Sequence, residues 1–458
     1  MTTPAQEIFK AYDIRGIVGK TLTADVVAQI GRAIGSEARA RGQTRIVVGR
    51  DGRLSGPEFA QALTTGITRA GIDVIDIGCV ATPITYFAAY HLDAHSCVSI
   101  TGSHNPPEYN GLKLVLGDET LHGAMISDLR RRIVDDDFAT GTGSVTHIDV
   151  RPAYIERILS DVKLARPMQI VLDSGNGVAG NTAPDLFRRL GCTVTELYSE
   201  VDGWFPNHHP DPSKPENLAD VIAALKDSDA ELGLAFDGDG DRLGVVTKDG
   251  EIIYPDRQLL LFAADVLSRV PGGKVIYDVK CSRTLAPWIR QHGGEPVMWH
   301  TGHALMKAKL VETGAPLAGE LSGHVFFKER WYGFDDGLYA GARLLEILSR
   351  HPDANAVLTA LPKAVSTPEI NVKMAEGEPP RLLERLKTKA RFDGEIERIT
   401  LDGLRIEYAD GFGLVRPSNT TPVMVLRFEA DDQAALARIS ADFARVIRHA
   451  WPDLQLPF

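Results

Sequence analysis

Short apolar runs alternate with stretches of helical period along most of the chain. In the first part the pattern predicts a helix over 24–41, a strand over 45–49, a helix over 56–70 and a strand over 73–77. Two further apolar runs, 97–100 and 112–116, read as strands joined by a polar loop. The alternation then restarts with a helix over 152–162, a strand over 169–173 and apolar runs at 232–236 and 243–246. A third round gives a helix over 256–269, a strand over 275–278 and a helix over 284–291. Such alternation marks α/β layering with largely parallel strands. Three units of similar size suggest a repeated fold, although no residue-level repeat is visible. Beyond the proline-punctuated connection 361–368 comes a smaller α+β segment ending in a helix over 431–450. At 458 residues the chain exceeds what one core serves. The expected division is 1–148, 149–251 and 252–363 as three similar mixed α/β domains, and 364–458 as the α+β domain.

Several loops between these elements carry residues that suit chemistry. In Thr101-Gly102-Ser103-His104-Asn105-Pro106-Pro107, the prolines forbid helix, while Gly102 and the later Asn110-Gly111 supply bends that hold one hydroxyl out of the loop. A serine oxygen is a weak nucleophile unaided, and His104 and Lys113 are candidates for a base or a stabilising charge. Taken alone, such a segment is more often a tight turn than an active site. Asp237-Gly238-Asp239-Gly240-Asp241 places carboxylates at i, i+2 and i+4, which face one side of an extended segment and suit one hard cation. An EF-hand is excluded, because the sixth position is Arg242 and the twelfth Lys248; a solvated acidic turn is the plainer alternative. Arg416 with Ser418, Asn419, Thr420 and Thr421 offers one guanidinium, three hydroxyls and backbone amides to a tetrahedral anion, or forms an ordinary turn. Glu320 and Ser322 pair a carboxylate with a hydroxyl, as sugar hydroxyls require, and His324 follows as an acid or base or as a structural histidine. Gly175 to Gly180 satisfies G-x-G-x-x-G after a strand, with Glu196 or Glu200 beyond it, but nothing downstream supplies a hydride-transfer site.

Composition narrows the partners. With 44% hydrophobic and 24% charged residues the chain has the make-up of a soluble globular protein. A net charge of -11 argues against nucleic acid or an anionic membrane surface, so an anionic small substrate must meet a local basic cluster. Cys79, Cys97, Cys192 and Cys281 lack C-x-x-C spacing and fall in or beside apolar runs, the pattern of free thiols in a reducing compartment. Residues 1–7 lack a basic n-region and an apolar h-region, and no apolar stretch approaches a membrane span. A cytoplasmic enzyme is expected.

T-G-S-H-N-P followed by E-Y-N-G-L-K resembles the phosphoserine loop of the α-D-phosphohexomutase superfamily. The resemblance extends to Phe9 to Gly16, Asp237 to Arg242, Gly319 to His324 and Arg416 to Thr421. These motifs stand in order across nearly the whole chain, and the nearest match is the bacterial phosphomannomutase/phosphoglucomutase branch. Residues 205–212, with His208 and His209, also match a family segment, but no physical role follows for them. The resemblance implies four domains around a central cleft, the last one mobile. It further implies reversible interconversion of hexose 1-phosphate and 6-phosphate, for glucose and mannose, through a phosphoserine at Ser103 and glucose 1,6-bisphosphate or its equivalent as intermediate and activator. Mg²⁺ would be held by Asp237, Asp239, Asp241 and a phosphate oxygen on Ser103, with Arg242 on the same phosphate. Glu320 and Ser322 would bind sugar O3 and O4. Lys280 and His303 would add sugar-phosphate contacts, and Tyr12 and Arg15 would line the cleft. Arg416, Ser418, Asn419, Thr420 and Thr421 would grip the second, non-reacting phosphate. Arg15, His104, Lys113, Arg242, Lys280, His303, His324 and Arg416 would thus make a basic cleft in an acidic protein. Hexose phosphates are the expected partners of a monomer. Rival readings are a phosphoglucosamine mutase, which typically has Gln where Leu321 stands, a serine-dependent phosphohydrolase, and a non-catalytic sugar-phosphate binder.

Overall fold

The first helix, Ala24–Ala40, shows how local sequence builds the layers. Thr23 caps it through a hydrogen bond from Val26 N, and Val26, Val27, Ile30 and Ile34 bury one stripe. Its Gly31 lies so close to the neighbouring helix Gly56–Arg69 that a Cβ would stand 2.4 Å from the Leu63 carbonyl oxygen. The computed structural model describes residues 3–418 and 422–458. Asn419, Thr420 and Thr421 of the expected phosphate clamp therefore lie outside the described residues.

Three of the four sheets share one four-strand plan. In the first, Tyr109–Leu116, Cys97–Ile100, Arg45–Arg50 and Asp73–Cys79 lie side by side in that order. Leu243–Thr247, Leu232–Phe236, Met168–Asp173 and Cys192–Leu197 repeat the order in the second, and Val325–Phe327, Leu317–Gly319, Lys274–Asp278 and Glu295–Trp299 in the third. In each, the third strand in chain order is parallel to the first and antiparallel to the fourth. Each four-strand plan is thus mixed as expected, with two parallel pairings and one antiparallel: a loop of a few residues joins the third strand to the fourth, too short for a parallel crossover. Those three equivalent loops carry Ser103, the aspartate run and Glu320-Ser322. The first sheet gains Val145–His147 at one edge. The second gains Ile252–Ile253, two residues beyond the expected division at 251.

The fourth sheet is antiparallel in its main path, Val365–Ser366, Val423–Ala430, Gly411–Pro417, Leu404–Tyr408 and Glu397–Ile399, and is backed by helices Glu378–Lys389 and Gln433–Ala450. One apolar cluster runs through the three α/β units from Val47 to Leu361, whereas the C-terminal unit has its own, from Val372 to Ile447. Between the two, buried Arg405 donates to the carbonyls of Val279 and Cys281, Arg427 donates to that of Lys280, and Phe412 and Leu414 pack with Val279 in a small apolar cluster. All four cysteines are free thiols. Among the described residues no helix is long and apolar enough to cross a membrane.

Candidate active site

Ser103 stands three residues past the strand Cys97–Ile100 with φ of 50°, a left-handed conformation uncommon for a residue with a side chain. The surrounding bonds hold it there. Its N–H donates to Thr101 Oγ1 at 2.7 Å, its carbonyl accepts from Arg53 at 2.8 Å, and Gly102 N donates to Asp51 at 3.1 Å. The hydroxyl donates to Asp237 Oδ2 at 3.1 Å and lies 3.1 Å from His104 Nδ1. Burial holds the His104 imidazole well below its ordinary range, with Arg242 and Arg15 acting the same way, so it is neutral near pH 7.

The aspartate run faces this serine. Asp237, Asp239 and Asp241 are fully buried, with one oxygen of each within 4.8 Å of the others. Burial and mutual repulsion push Asp237 and Asp241 upward, which is the strain of three carboxylates crowded together. Lys113 donates to Asp239 at 2.8 Å and to Asp241, and Thr82 donates to Asp239 at 2.7 Å. Burial would lower the Lys113 ammonium, but Asp239 and Asp241 overcome it and hold the group above its ordinary range. Lys113 is thus a fixed positive charge rather than a base. Asp239 Oδ1 and Asp241 Oδ1 are buried without a hydrogen-bond partner among the described residues. An all-oxygen set with unspent acceptors fits a small hard cation such as Mg²⁺. The approach to the serine loop is tight, since a Cβ on Gly238 would lie 2.4 Å from the Ser103 carbonyl oxygen.

Arg242 hangs between the carboxylates and the loop that carries Glu320 to His324. Its guanidinium is 3.8 and 3.9 Å from Asp237 and Asp241, and its Nε donates to His324 Nε2 at 3.1 Å. Buried Glu320 accepts from Gly302 N at 2.6 Å, and burial raises its carboxyl to about 6. Leu321 packs against the central core rather than lining the cleft beside Glu320 and Ser322. The rings of Tyr12 and His303 meet edge to face at 5.2 Å. Lys280 pairs with Glu369 at 2.8 Å, and Arg416 with Asp402 at 3.2 Å. A cleft of about 790 Å³ brings Tyr12, Arg15, Ser103, His104, Lys113, Arg242, Lys280, His303, Glu320, Ser322, His324, Arg416 and Ser418 onto one surface. The aspartate run lies behind that surface, reached through Ser103 and Lys113.

Sequence reasoning missed the groups that brace the loops. Arg53, fully buried, donates to the carbonyls of Ser103, Asn105, Pro106 and Tyr109 and pairs with Asp51. It thereby ties three carbonyls of the serine loop to the first residue of the strand that follows. The 205–212 stretch acquires a role here: Phe205 lies under the Arg53 guanidinium, His209 Nε2 reaches the His104 carbonyl, and the Pro210 carbonyl accepts from Gly238 N. It wedges the serine loop against the metal loop. The G-x-G-x-x-G turn is part of the same scaffold. Val178 N donates to the Gly238 carbonyl, and a Cβ on Gly180 would stand 2.0 Å from the Ser199 oxygen, so the turn is filled by protein. Glu369 and Asn371, from the strand Ile370–Lys373 and its approach, also line the cleft. Arg53→Met is expected to cost about 3–5 kcal/mol, because Asp51 and several carbonyls lose a buried partner. Urea unfolding of the purified variant measures this, and a wild-type midpoint would show that the loop holds its shape without the guanidinium.

The family descriptions for phosphoglucomutase/phosphomannomutase alpha/beta/alpha domains I, II and III match residues 6–139, 152–250 and 254–365, and that for the C-terminal domain matches 369–446. A phosphoglucomutase of Neisseria gonorrhoeae is 59% identical over 459 residues, covering 99% of this chain and 100% of the relative. A phosphomannomutase/phosphoglucomutase of Pseudomonas aeruginosa is 56% identical over 458 residues, covering 100% and 98%. The crystal structure of a phosphoglucomutase/phosphomannomutase family protein from Burkholderia thailandensis superposes with a TM-score of 0.95 at 61% identity, covering 99% of this chain and 100% of that one. With four domain descriptions in register from residue 6 to residue 446, three repeated sheets and a serine poised over buried aspartates, the chain belongs to the phosphoglucomutase/phosphomannomutase family.

Proposed function

We propose that the protein interconverts hexose 1-phosphate and hexose 6-phosphate, for both glucose and mannose, with Ser103 carrying the transferred phosphoryl group. The observation that carries this reading is Ser103 Oγ at 3.1 Å from Asp237, at the floor of a cleft lined by cationic side chains in an acidic protein. Mg²⁺ on Asp237, Asp239, Asp241 and a phosphate oxygen of Ser103 would neutralise the charge of the transferring group. Arg242, whose carboxylate contacts are long, is placed to turn toward the same phosphate, and Lys113 adds fixed positive charge beside it.

The substrate hydroxyl oxygen bonds to phosphorus as the Oγ–P bond of Ser103 breaks, with the bonding pair left on Oγ. The hydroxyl proton passes to His324, which lines the cleft, once Arg242 has turned to the phosphate and freed the Nε2 lone pair. The resulting hexose 1,6-bisphosphate turns end for end, Oγ attacks the other phosphate, and the proton returns to the sugar oxygen. Neutral His104 keeps a hydrogen-bonding nitrogen beside Oγ throughout. Arg416 and Ser418, with the neighbouring residues 419–421, grip the phosphate that is not reacting, and Glu320 and Ser322 hold the sugar hydroxyls at C3 and C4. Every residue invoked lies in one chain, so the reading needs no second subunit.

Arg416→Ala is expected to raise KM for the sugar phosphate, since one charge-assisted contact is worth roughly 1.5 to 3 kcal/mol, or about ten- to hundredfold. Steady-state kinetics with glucose 1-phosphate measure it; unchanged kcat/KM would move the clamp elsewhere.

Glucose and mannose differ only at C2, and a site rejects an analogue strongly only where it is built to bond the missing group, by about 10⁴ or more. A cleft that accepts the bisphosphate in two orientations anchors its phosphates and the C3/C4 pair. Mutase turnover of glucose 1-phosphate and mannose 1-phosphate, each with Mg²⁺ and a trace of glucose 1,6-bisphosphate, is therefore expected to differ by less than about a thousandfold in kcat/KM, or roughly 4 kcal/mol. Release of inorganic phosphate without the 6-phosphate would instead show a phosphohydrolase and overturn the reading.

A further inference from the structure

Thr301 and Gly302 line the cleft between the strand Glu295–Trp299 and helix His303–Thr313, and their successive N–H groups reach two different units. Gly302 N donates to Glu320 Oε1 at 2.6 Å, within the third unit, whereas Thr301 N donates at 2.9 Å to Asp402 Oδ2 in the C-terminal unit. The Thr301 hydroxyl is fixed as well, donating to Asp278 Oδ2 at 3.0 Å.

Asp402 opens an Asp-Gly turn between the strands Glu397–Ile399 and Leu404–Tyr408. The carboxylate of such a turn commonly serves the turn's own backbone. Here, among the described residues, its hydrogen bonds go instead to Thr301 and to Arg416, whose Nε and Nη2 each donate to Oδ1 at 3.2 Å. Gly403 permits this approach: its φ is 93°, and a Cβ on it would lie 2.5 Å from Arg416 Cβ. Arg416 is on the cleft surface and Asp402 is not. A guanidinium carries five N–H donors, so the two that Asp402 takes set the plane of the fork without exhausting it.

We propose that Asp402 is a positioning residue that sets the span of the cleft, holding Arg416 at a fixed distance from Gly302 and Glu320 through the Thr301 N–H. The inference rests on the reading of Arg416 as the grip on the non-reacting phosphate and of Glu320 as a sugar contact. A hexose phosphate is a ring with its phosphate at one end, so tight binding requires the phosphate grip and the sugar contacts to be met at once. Asp402 acts through Arg416 and Thr301 rather than on the substrate. Its two oxygens are both needed, one toward the guanidinium and one toward the Thr301 N–H, and an amide offers only one acceptor.

Steady-state kinetics with glucose 1-phosphate test this, with the folding of each variant checked by thermal melts. Asp402→Asn, nearly isosteric, is expected to raise KM at least about fivefold with kcat within about threefold. Gly403→Ala keeps the carboxylate but pushes the turn away from Arg416, and is expected to raise KM in the same way. In an Arg416→Ala background Asp402→Asn is expected to have less than about a twofold further effect on KM, because no grip remains to be placed. A loss of the same size in both backgrounds, or a fall in kcat at unchanged KM, would make Asp402 a merely structural residue and overturn the proposal. Wild-type KM in Asp402→Asn, with KM raised in Arg416→Ala, would overturn the inference alone. Unchanged kcat/KM in Arg416→Ala would instead remove the arginine from the phosphate grip and take the inference with it, which separates the two failures.

Discussion

Ser103→Ala is expected to abolish mutase turnover, with kcat down by at least about 10⁴-fold, because the other hydroxyl bonded to the aspartate run, that of Thr82, is not among the groups lining the cleft. Removing a nucleophile that works as a unit with its partners costs as much as removing the whole unit. The side chain is small and contributes one hydrogen bond to Asp237, so the fold is expected to survive. The backbone bonds to Thr101 and Arg53 that hold the loop do not involve the hydroxyl. Intact-mass and peptide analysis of active wild-type protein should show one phosphate on the peptide containing Ser103, absent from the variant. Wild-type turnover by the alanine protein, with no added phosphoryl donor, would refute the assignment of Ser103 as carrier.

The second large effect is expected at Asp239. Asp239→Asn should lower kcat by about 10² to 10³, the loss found when one preorganised electrostatic contact is removed from a transferring group. Asp239 is the carboxylate most fully engaged. Although burial raises it, Lys113 and Thr82 hold it below the ordinary range, so it stays ionised between neighbours that are pushed upward. An amide there gives up one charge beside the cation that the run would hold and meets Lys113 with a weaker acceptor. Titration of activity with MgCl₂ should show a raised requirement for the metal in the variant. Wild-type kcat in excess chelator would rule out a role for a divalent cation at this site.

What the sequence made legible, and what it did not, follows from how far apart the interacting residues lie in the chain. Asp237, Asp239 and Asp241 announce a cation site because their alternation is itself the geometry. Ser103 is legible for the same reason, since prolines and glycines within a few residues shape its loop. Arg53 is invisible by this reasoning. Its carbonyl partners lie 50 to 56 residues further on, and nothing in Asp51-Gly52-Arg53 says that a side chain will thread through the serine loop. Residues 205–212 could be matched but not explained, because their task is to fill space between two loops that meet only after folding.

The shared strand order of the three α/β units has a consequence for how such a protein changes over time. On the proposed reading, each of three chemical tasks, holding the nucleophile, holding the cation and reading the sugar, falls to a loop at the equivalent corner of its own sheet. The strands on either side are buried and set by packing, while the loop between them spans only a few residues. The framework is therefore modular: insertion or exchange of a handful of residues between Gly319 and Val325 can retarget the sugar without disturbing the nucleophile or the cation. Diversification of substrate and preservation of chemistry are assigned to different addresses along one chain.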